Sequence, residues 1–219
     1  MPRSKRDKDV SLTRVKKKTR GAKEGLVHQL REAVDEYPHV FVYEFENMRS
    51  SKFVQVRQKF KSNSRFYFGK NNVMAIALGK DKTTECATGI SKISQLLKGQ
   101  CGLMFTSADK DEVIQYFREL KDADFARAGV IAPQTIDLSA GPLEQFAFSV
   151  EPQLRKLGMP TSLVKGVIHL TQDFRVCTEG EAIKPEEAKI LKFLEEKLSV
   201  FQVNLKAYWS KQTGLKDLA

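Results

Sequence analysis

Between Arg49 and Lys70 the chain carries seven cations, Arg49, Lys52, Arg57, Lys59, Lys61, Arg65 and Lys70, and no Asp or Glu falls anywhere from Met48 to Lys80. Cations in that density suit a polyanion, because each Lys or Arg that neutralises a phosphate releases a counterion, and that release drives sequence-independent binding to nucleic acids. The sharpest point of the segment is Gly69-Lys70-Asn71. It lies where a strand hands over to a helix, so the exposed amides of the first helical turn attract an anion, and Lys70 adds a full charge. Gly69 tolerates a left-handed or otherwise strained turn there, and Asn71 or Asn72 can cap the helix. The arrangement holds one phosphate rather than a nucleotide. Together with Arg49, Lys52, Arg57, Lys59, Lys61 and Arg65 it reads as a series of single-phosphate sites, which is what a nucleic-acid backbone needs.

Catalysis finds little support in the same residues. The three histidines, His28, His39 and His169, have no motif around them, and neither G-x-S-x-G nor H-E-x-x-H occurs. Gly69-Lys70 and Gly79-Lys80 both look like the end of a phosphate loop. The glycine required five residues earlier is replaced by Ser64 and Met74, and neither lysine is followed by Ser or Thr, so neither is a nucleotide cradle. Cys86, Cys101 and Cys177 are odd in number and far apart, which argues against a disulfide framework or zinc site and for a reducing compartment. No catalytic residue, metal or cofactor is expected. No apolar run approaches the ~18 residues that span a bilayer, so no membrane partner is expected either.

The elements that must hold the basic segment follow from periodicity. Leu26, Leu30, Ala33, Val34 and Tyr37 recur at helical spacing up to Pro38, which ends the helix. HVFVYEFE alternates as a strand with Phe41, Tyr43 and Phe45 on one face. Ser50 or Ser51 can cap the next helix, whose buried stripe is Phe53, Val56 and Phe60, with Lys52 and Lys59 on one flank. Arg57 borders the stripe; it can lay its stem there and present only the guanidinium. RFYFG is a second strand, with Phe66 and Phe68 directed to the core and Tyr67 open to either core or base stacking. Two short helices, NNVMAIALG and GISKISQLLKG, then a strand CGLMFTS, then a helix capped by Asp109 complete this half. After Ala123 prolines and glycines crowd in, and residues 125–187 carry a net charge of −2. A helix opens at Pro185, with Glu186 and Glu187 at its positive end. In VFQVNLKAYW, Phe201, Val203, Leu205, Ala207 and Trp209 alternate as a strand with one buried face. That strand needs the first sheet as a partner. The order predicts an α+β fold: a ferredoxin-like α/β plait over residues 21–124 and 185–219, interrupted by a smaller inserted α+β domain over residues 125–184.

Most of the +10 net charge sits in the first 23 residues, which carry +8. Residues 1–20 therefore read as a disordered basic tail. Its KKKTR suits a nuclear-import signal or a nonspecific basic arm, and the two can coexist. A tail resting on anionic lipid would want an apolar anchor, and Val10, Leu12 and Val15 are a poor one.

MPRSKRDKDVSLT, FENMRSSKFVQVRQKFKSNSRFYFGKNNVMAIALG, DFARAG and GPLEQFAFSVEPQLRKLGMPTSLVKGVIHL together resemble the large-subunit ribosomal stalk-base proteins, the L10/P0 family, and are most similar to its assembly-factor branch. The resemblance covers nearly the whole chain. It implies an RNA-binding plait carrying an inserted domain, with Arg49, Lys52, Arg57, Lys70, Asn71 and Asn72 at the RNA surface; Lys59 and Lys61 join them on charge alone. It implies a ribosome biogenesis factor of the nucleus and nucleolus, with transient passage to the cytoplasm. Such a factor occupies large-subunit rRNA at the GTPase-associated centre of pre-60S particles until the mature stalk-base protein replaces it. The partners implied are that rRNA, the pre-60S particle, a dual-specificity phosphatase-like release factor and a neighbouring L11-family ribosomal protein. The sequence stops soon after Trp209, without the long helices and acidic tail that build the stalk, which favours a placeholder over the alternative, a structural protein of the mature stalk base.

Overall fold

The computed structural model describes residues 20–218; the tail expected over residues 1–20 and the import signal at 16–20 fall, except for Arg20, outside them. The described chain forms two compact units. One comprises residues 20–44, 59–110 and 205–218, and the other Phe45–Gln58 and Asp111–Asn204.

The elements of the plait are α1 (Arg20–Glu36), β1 (His39–Glu46), α2 (Ser50–Lys59), β2 (Ser64–Tyr67), α3 (Asn71–Leu78), α4 (Ser91–Leu96), β3 (Cys101–Thr106), α5 (Lys110–Glu119) and β4 (Lys121–Asp124). Later in the chain come α7 (Pro185–Phe193), β10 (Ser199–Ser210) and β11 (Gly214–Asp217). The main sheet runs β11-β10-β1-β3-β2, with β4 also pairing β10. Strand β3 is antiparallel to both β1 and β2. With β1, β2, β3 and β10 as its four strands, the sheet has the ferredoxin-like order, the last strand beside the first and the third between first and second. The fold is α+β as the alternation of elements predicts; the inserted region follows β4, and its core takes in Ile190 and Leu191 of α7.

The core of the first unit lies under α1, α3 and α4. Val40 and Val42 of β1, Leu103 and Phe105 of β3, and Ala207 and Trp209 of β10 meet Leu30 and Val34 of α1, Met74 and Leu78 of α3 and Ile93 of α4. Trp209 is 1 % exposed and donates its indole N–H to the Thr88 carbonyl at 3.3 Å. Two glycines are fixed by close approach. A Cβ on Gly102 would fall 2.6 Å from the Tyr43 ring that covers it across the β1–β3 pair. Gly79 ends α3 at φ +98°, and a Cβ there would meet Glu85 backbone at 2.4 Å.

Several local expectations are corrected. Phe68 is 45 % exposed and reaches Tyr43 only edge-on, because β2 ends at Tyr67 and the strand alternation no longer directs it inward. Tyr67 packs on the core and sets its ring against Phe105. Strand β10 does not keep one buried face: Phe201 stacks on Phe45, Tyr208 meets Phe41 and Trp209 joins the α1 side, so its C-terminal half is buried on both faces. Strands β4 and β11 have no strong period in the sequence; each is short and held by pairing to β10.

The second unit holds the insertion. Its strands are β5 (Ile136–Leu138), β6 (Gly141–Pro142), β7 (Thr161–Val164), β8 (Val167–Leu170) and β9 (Phe174–Cys177), with α6 (Glu151–Lys156). β5 pairs β9, and β6-β8-β7 form a three-stranded sheet. The β7–β8 hairpin turns on Lys165-Gly166, both at positive φ (50° and 85°), the geometry that matches the right-handed twist of the two strands. Leu143, Leu154, Ile168, Val176, Ile190 and Leu191 form its core.

Candidate nucleic-acid interface

In the second unit, three of the sequence-predicted residues lie on or just before α2. Arg49 immediately precedes the helix, and its carbonyl accepts the Phe53 amide at 3.0 Å, so Arg49 rather than Ser50 or Ser51 occupies the capping position. Its side chain is only 25 % exposed. The guanidinium Nε lies 2.8 Å from Asp124 Oδ2, and an Nη donates to the Phe125 carbonyl. Asp124 is fixed in turn by the Phe125 amide at 2.7 Å. One turn on, Lys52 Nζ lies 3.4 Å from Asp122. Arg57 holds its guanidinium 5.3 Å from the Phe53 ring centroid, an arrangement that packs the stem on apolar surface and leaves the charged head available. Asp122 and Asp124 both belong to β4, whose pairing with β10 sets their positions.

In the first unit stand Lys59, Lys61, Gly69, Lys70, Asn71 and Asn72. The turn after α2 is anchored by buried Phe60, which meets Phe66, and by Ser64, whose hydroxyl donates to Thr106 Oγ1 at 2.7 Å. That anchoring leaves Lys59 and Lys61 exposed on either side of Phe60. At the β2–α3 junction Lys70 is extended (φ −67°, ψ 131°) and caps α3 through its backbone: its carbonyl accepts the Val73 and Met74 amides at 2.8 and 3.1 Å. The amides of Asn71 and Asn72 precede these bonds and have no helical carbonyl to meet. Neither asparagine side chain caps the helix. Asn71 instead donates to the Gly99 carbonyl at 2.9 Å and accepts from the Cys101 thiol at 3.4 Å, so it ties the helix start to the turn before β3. Burial beneath that bond pushes the Cys101 thiol pKa up.

Gly69 does not adopt a positive φ. Its necessity is spatial, since a Cβ would fall 2.8 Å from Leu26 Cδ2 and 3.3 Å from Met74 Cγ. Arg65 is engaged locally: a hydrogen bond to Tyr37, with Glu36 nearby, pushes its guanidinium pKa up. Lys61 and Lys70 form no ion pair among the described residues. An acid-free stretch of sequence is thus compensated in space at Arg49 and Lys52 and uncompensated at Lys61 and Lys70. The partners Asp122 and Asp124 were not foreseen from the sequence, because only strand pairing far along the chain brings them to α2.

An antiparallel plait interrupted by an insertion, with basic residues at α2 and at the start of α3, defines a class, and comparison with known proteins gives the same class. Residues 18–121 match the family described as Ribosomal protein L10, and residues 126–195 match the insertion domain found in 60S ribosomal proteins of that family. The chain is 37 % identical to the ribosome assembly factor mrt4 of Dictyostelium discoideum, over 96 % of its length and 94 % of the relative's. It is 33 % identical to the ribosome assembly factor MRT4 of Saccharomyces cerevisiae, over 98 % and 96 %. With the large ribosomal subunit protein uL10 of Neurospora crassa it shares 29 % identity, over 78 % of its own length and 54 % of that protein's. The chain therefore belongs to the ribosomal protein L10 family, on its branch of mrt4 ribosome assembly factors.

Proposed function

We propose that this protein binds large-subunit rRNA at the stalk base, the GTPase-associated centre, in nuclear and nucleolar pre-60S particles. There it holds the place later taken by the mature stalk-base protein. The observation that carries the reading is the near full-length similarity to ribosome assembly factors, combined with the exposed cations Lys61 and Lys70, which lack acidic partners among the described residues of an L10-type plait. In the first unit Lys61, Lys70 and the leading amides of α3 supply phosphate sites; Lys59 adds charge and Asn72 a polar side chain. In the second, Asp124 orients Arg49, and Asp122 partly offsets the charge of Lys52. A guanidinium has five donors, so an Arg49 held by a carboxylate and a carbonyl still has N–H groups for a phosphate. Arg57 offers its head from above Phe53.

The partners in this reading are the pre-60S particle, a dual-specificity phosphatase-like release factor that drives the exchange and a neighbouring L11-family ribosomal protein. The localisation is nuclear and nucleolar with brief cytoplasmic passage.

Competition tests the reading. The protein and the RNA-binding domain of the mature stalk-base protein are titrated onto one stalk-base rRNA fragment. Mutually exclusive binding is expected; a ternary complex of both proteins on one fragment contradicts the placeholder role. Sedimentation of a tagged chain with nuclear precursor subunits, rather than with translating ribosomes, separates an assembly factor from a structural protein of the mature stalk base.

A further inference from the structure

Seven cations of the inserted region show two kinds of environment. Arg155 pairs with Glu151, Arg175 with Asp137 and Lys184 with Glu187. Arg127, Lys156, Lys189 and Lys192 are exposed and form no ion pair among the described residues, and all four stand around α7. A segment with a net charge of −2 over residues 125–187 thus contributes Arg127 and Lys156 to a concentrated positive patch.

The patch has concave apolar ground beside it. On one side of α7 a groove of about 420 Å³ is floored by Phe125, Ala126, Pro185 and Ala188, rimmed by Arg127, Lys189 and Lys192, and bordered at its far end by the paired Arg49 and Asp124. On the other side a groove of about 500 Å³ is floored by Leu157 and Phe193 and rimmed by Lys156, Lys189 and Lys192. Lys189 and Lys192 are three residues apart on α7, so they share one face of the helix and border both grooves.

We infer that the two grooves flanking α7 bind a partner-protein segment in which Asp and Glu alternate with large apolar residues. Charge complementarity selects the acids, which meet the four cations at the rim. The apolar floors select the intervening side chains, because burying them removes carbon surface from water on both partners. A nucleic-acid duplex, whose bases are stacked inside, would use the rim alone, and a single strand could cover the floors only by stacking bases on Phe125 and Phe193. The site lies wholly within the second unit and shares with the rRNA reading only Arg49, at the border of the first groove.

The test uses the full chain and three fluorescent probes: a synthetic peptide of Asp and Glu alternating with Leu and Phe, the same peptide with Ser at every apolar position, and a single-stranded RNA. The first peptide is expected to bind in the micromolar range at physiological salt and the Ser peptide at least about tenfold more weakly, since each buried apolar side chain contributes of that order. Lys189→Glu together with Lys192→Glu should weaken the first peptide about tenfold or more, because like charges then face one another, and should leave RNA affinity unchanged. If the reversal unfolds α7, Lys189→Gln with Lys192→Gln reads the same site with a smaller loss, about threefold. Equal binding of the two peptides overturns the inference, as does undiminished peptide binding by the folded variants. Loss of RNA binding with peptide binding intact also overturns it and assigns the cations to RNA.

Discussion

Arg49 and Lys70 belong to the same acid-free segment and meet opposite fates. Arg49 sits in a frame: Asp124 takes its Nε, the Phe125 carbonyl takes an Nη, and three-quarters of its surface is covered. Lys70 contributes only its backbone to the fold, through the carbonyl that starts α3, and its side chain stays exposed without an ion pair among the described residues. The difference teaches that local charge density along a chain does not measure the charge available to a ligand. A strand brought in from far along the sequence can supply acids that no local window contains. A cation held this way is oriented at the expense of its net charge, whereas a free one keeps its charge and adds nothing to stability.

The comparison breaks most visibly in stability. Arg49→Ala leaves Asp124 and the Phe125 carbonyl without their partner and is expected to cost roughly 1–3 kcal/mol, measured by chemical denaturation. Lys70→Ala should stay within about 0.5 kcal/mol of the unsubstituted protein. Equal losses from the two would show that the frame around Arg49 holds nothing together.

A smaller effect is expected at Gly69. Because its φ is not positive, no backbone strain opposes a side chain there, and the obstacle is Leu26 Cδ2. Gly69→Val should cost about 1 kcal/mol or somewhat more by overpacking the α1–α3 joint. Gly69→Ala should cost less, since the end of the Leu26 side chain can rotate away. A large loss from Gly69→Ala would mean that the joint cannot give.

The smallest effect sharpens the comparison from the other side. Asp122→Asn releases Lys52 from its partner without removing its charge. A part-exposed pair of this kind contributes at most about 1 kcal/mol, so stability should barely move. The rRNA fragment should bind roughly twofold tighter or more as the local charge rises. Weaker binding in a filter or anisotropy assay would mean that Asp122 positions Lys52 for the RNA and does not compete with it.

Much of this architecture is legible in the residues themselves. Helical spacing from Leu26 to Tyr37, the alternation in HVFVYEFE and the proline at 185 each carry their own signal, and α1, β1 and α7 form where those signals fall. Lone Trp209 is buried as its position in an apolar strand requires. What was not legible depends on partners distant in sequence. β4 reads KDAD, with no apolar period, and exists because β10 pairs with it. The face change along β10 follows from Phe45, Phe41 and the α1 core claiming different residues of one strand. For the candidate interface, residue identities were readable but their engagement was not. Asn71 looks like a helix cap until the Gly99 carbonyl is placed beside it, and Arg49 looks free until Asp124 is.

The central claim is that the acid-free segment grips rRNA phosphates, most directly through its unpaired end. Its most direct test is the salt dependence of affinity for a stalk-base rRNA fragment, measured on the protein and on folded Lys61→Ala/Lys70→Ala. With about four to six phosphates neutralised, log K should fall against log salt with a slope of roughly −3 to −5, and the double variant should flatten it by about two units. A slope near zero, or one that the double variant leaves unchanged, contradicts the account.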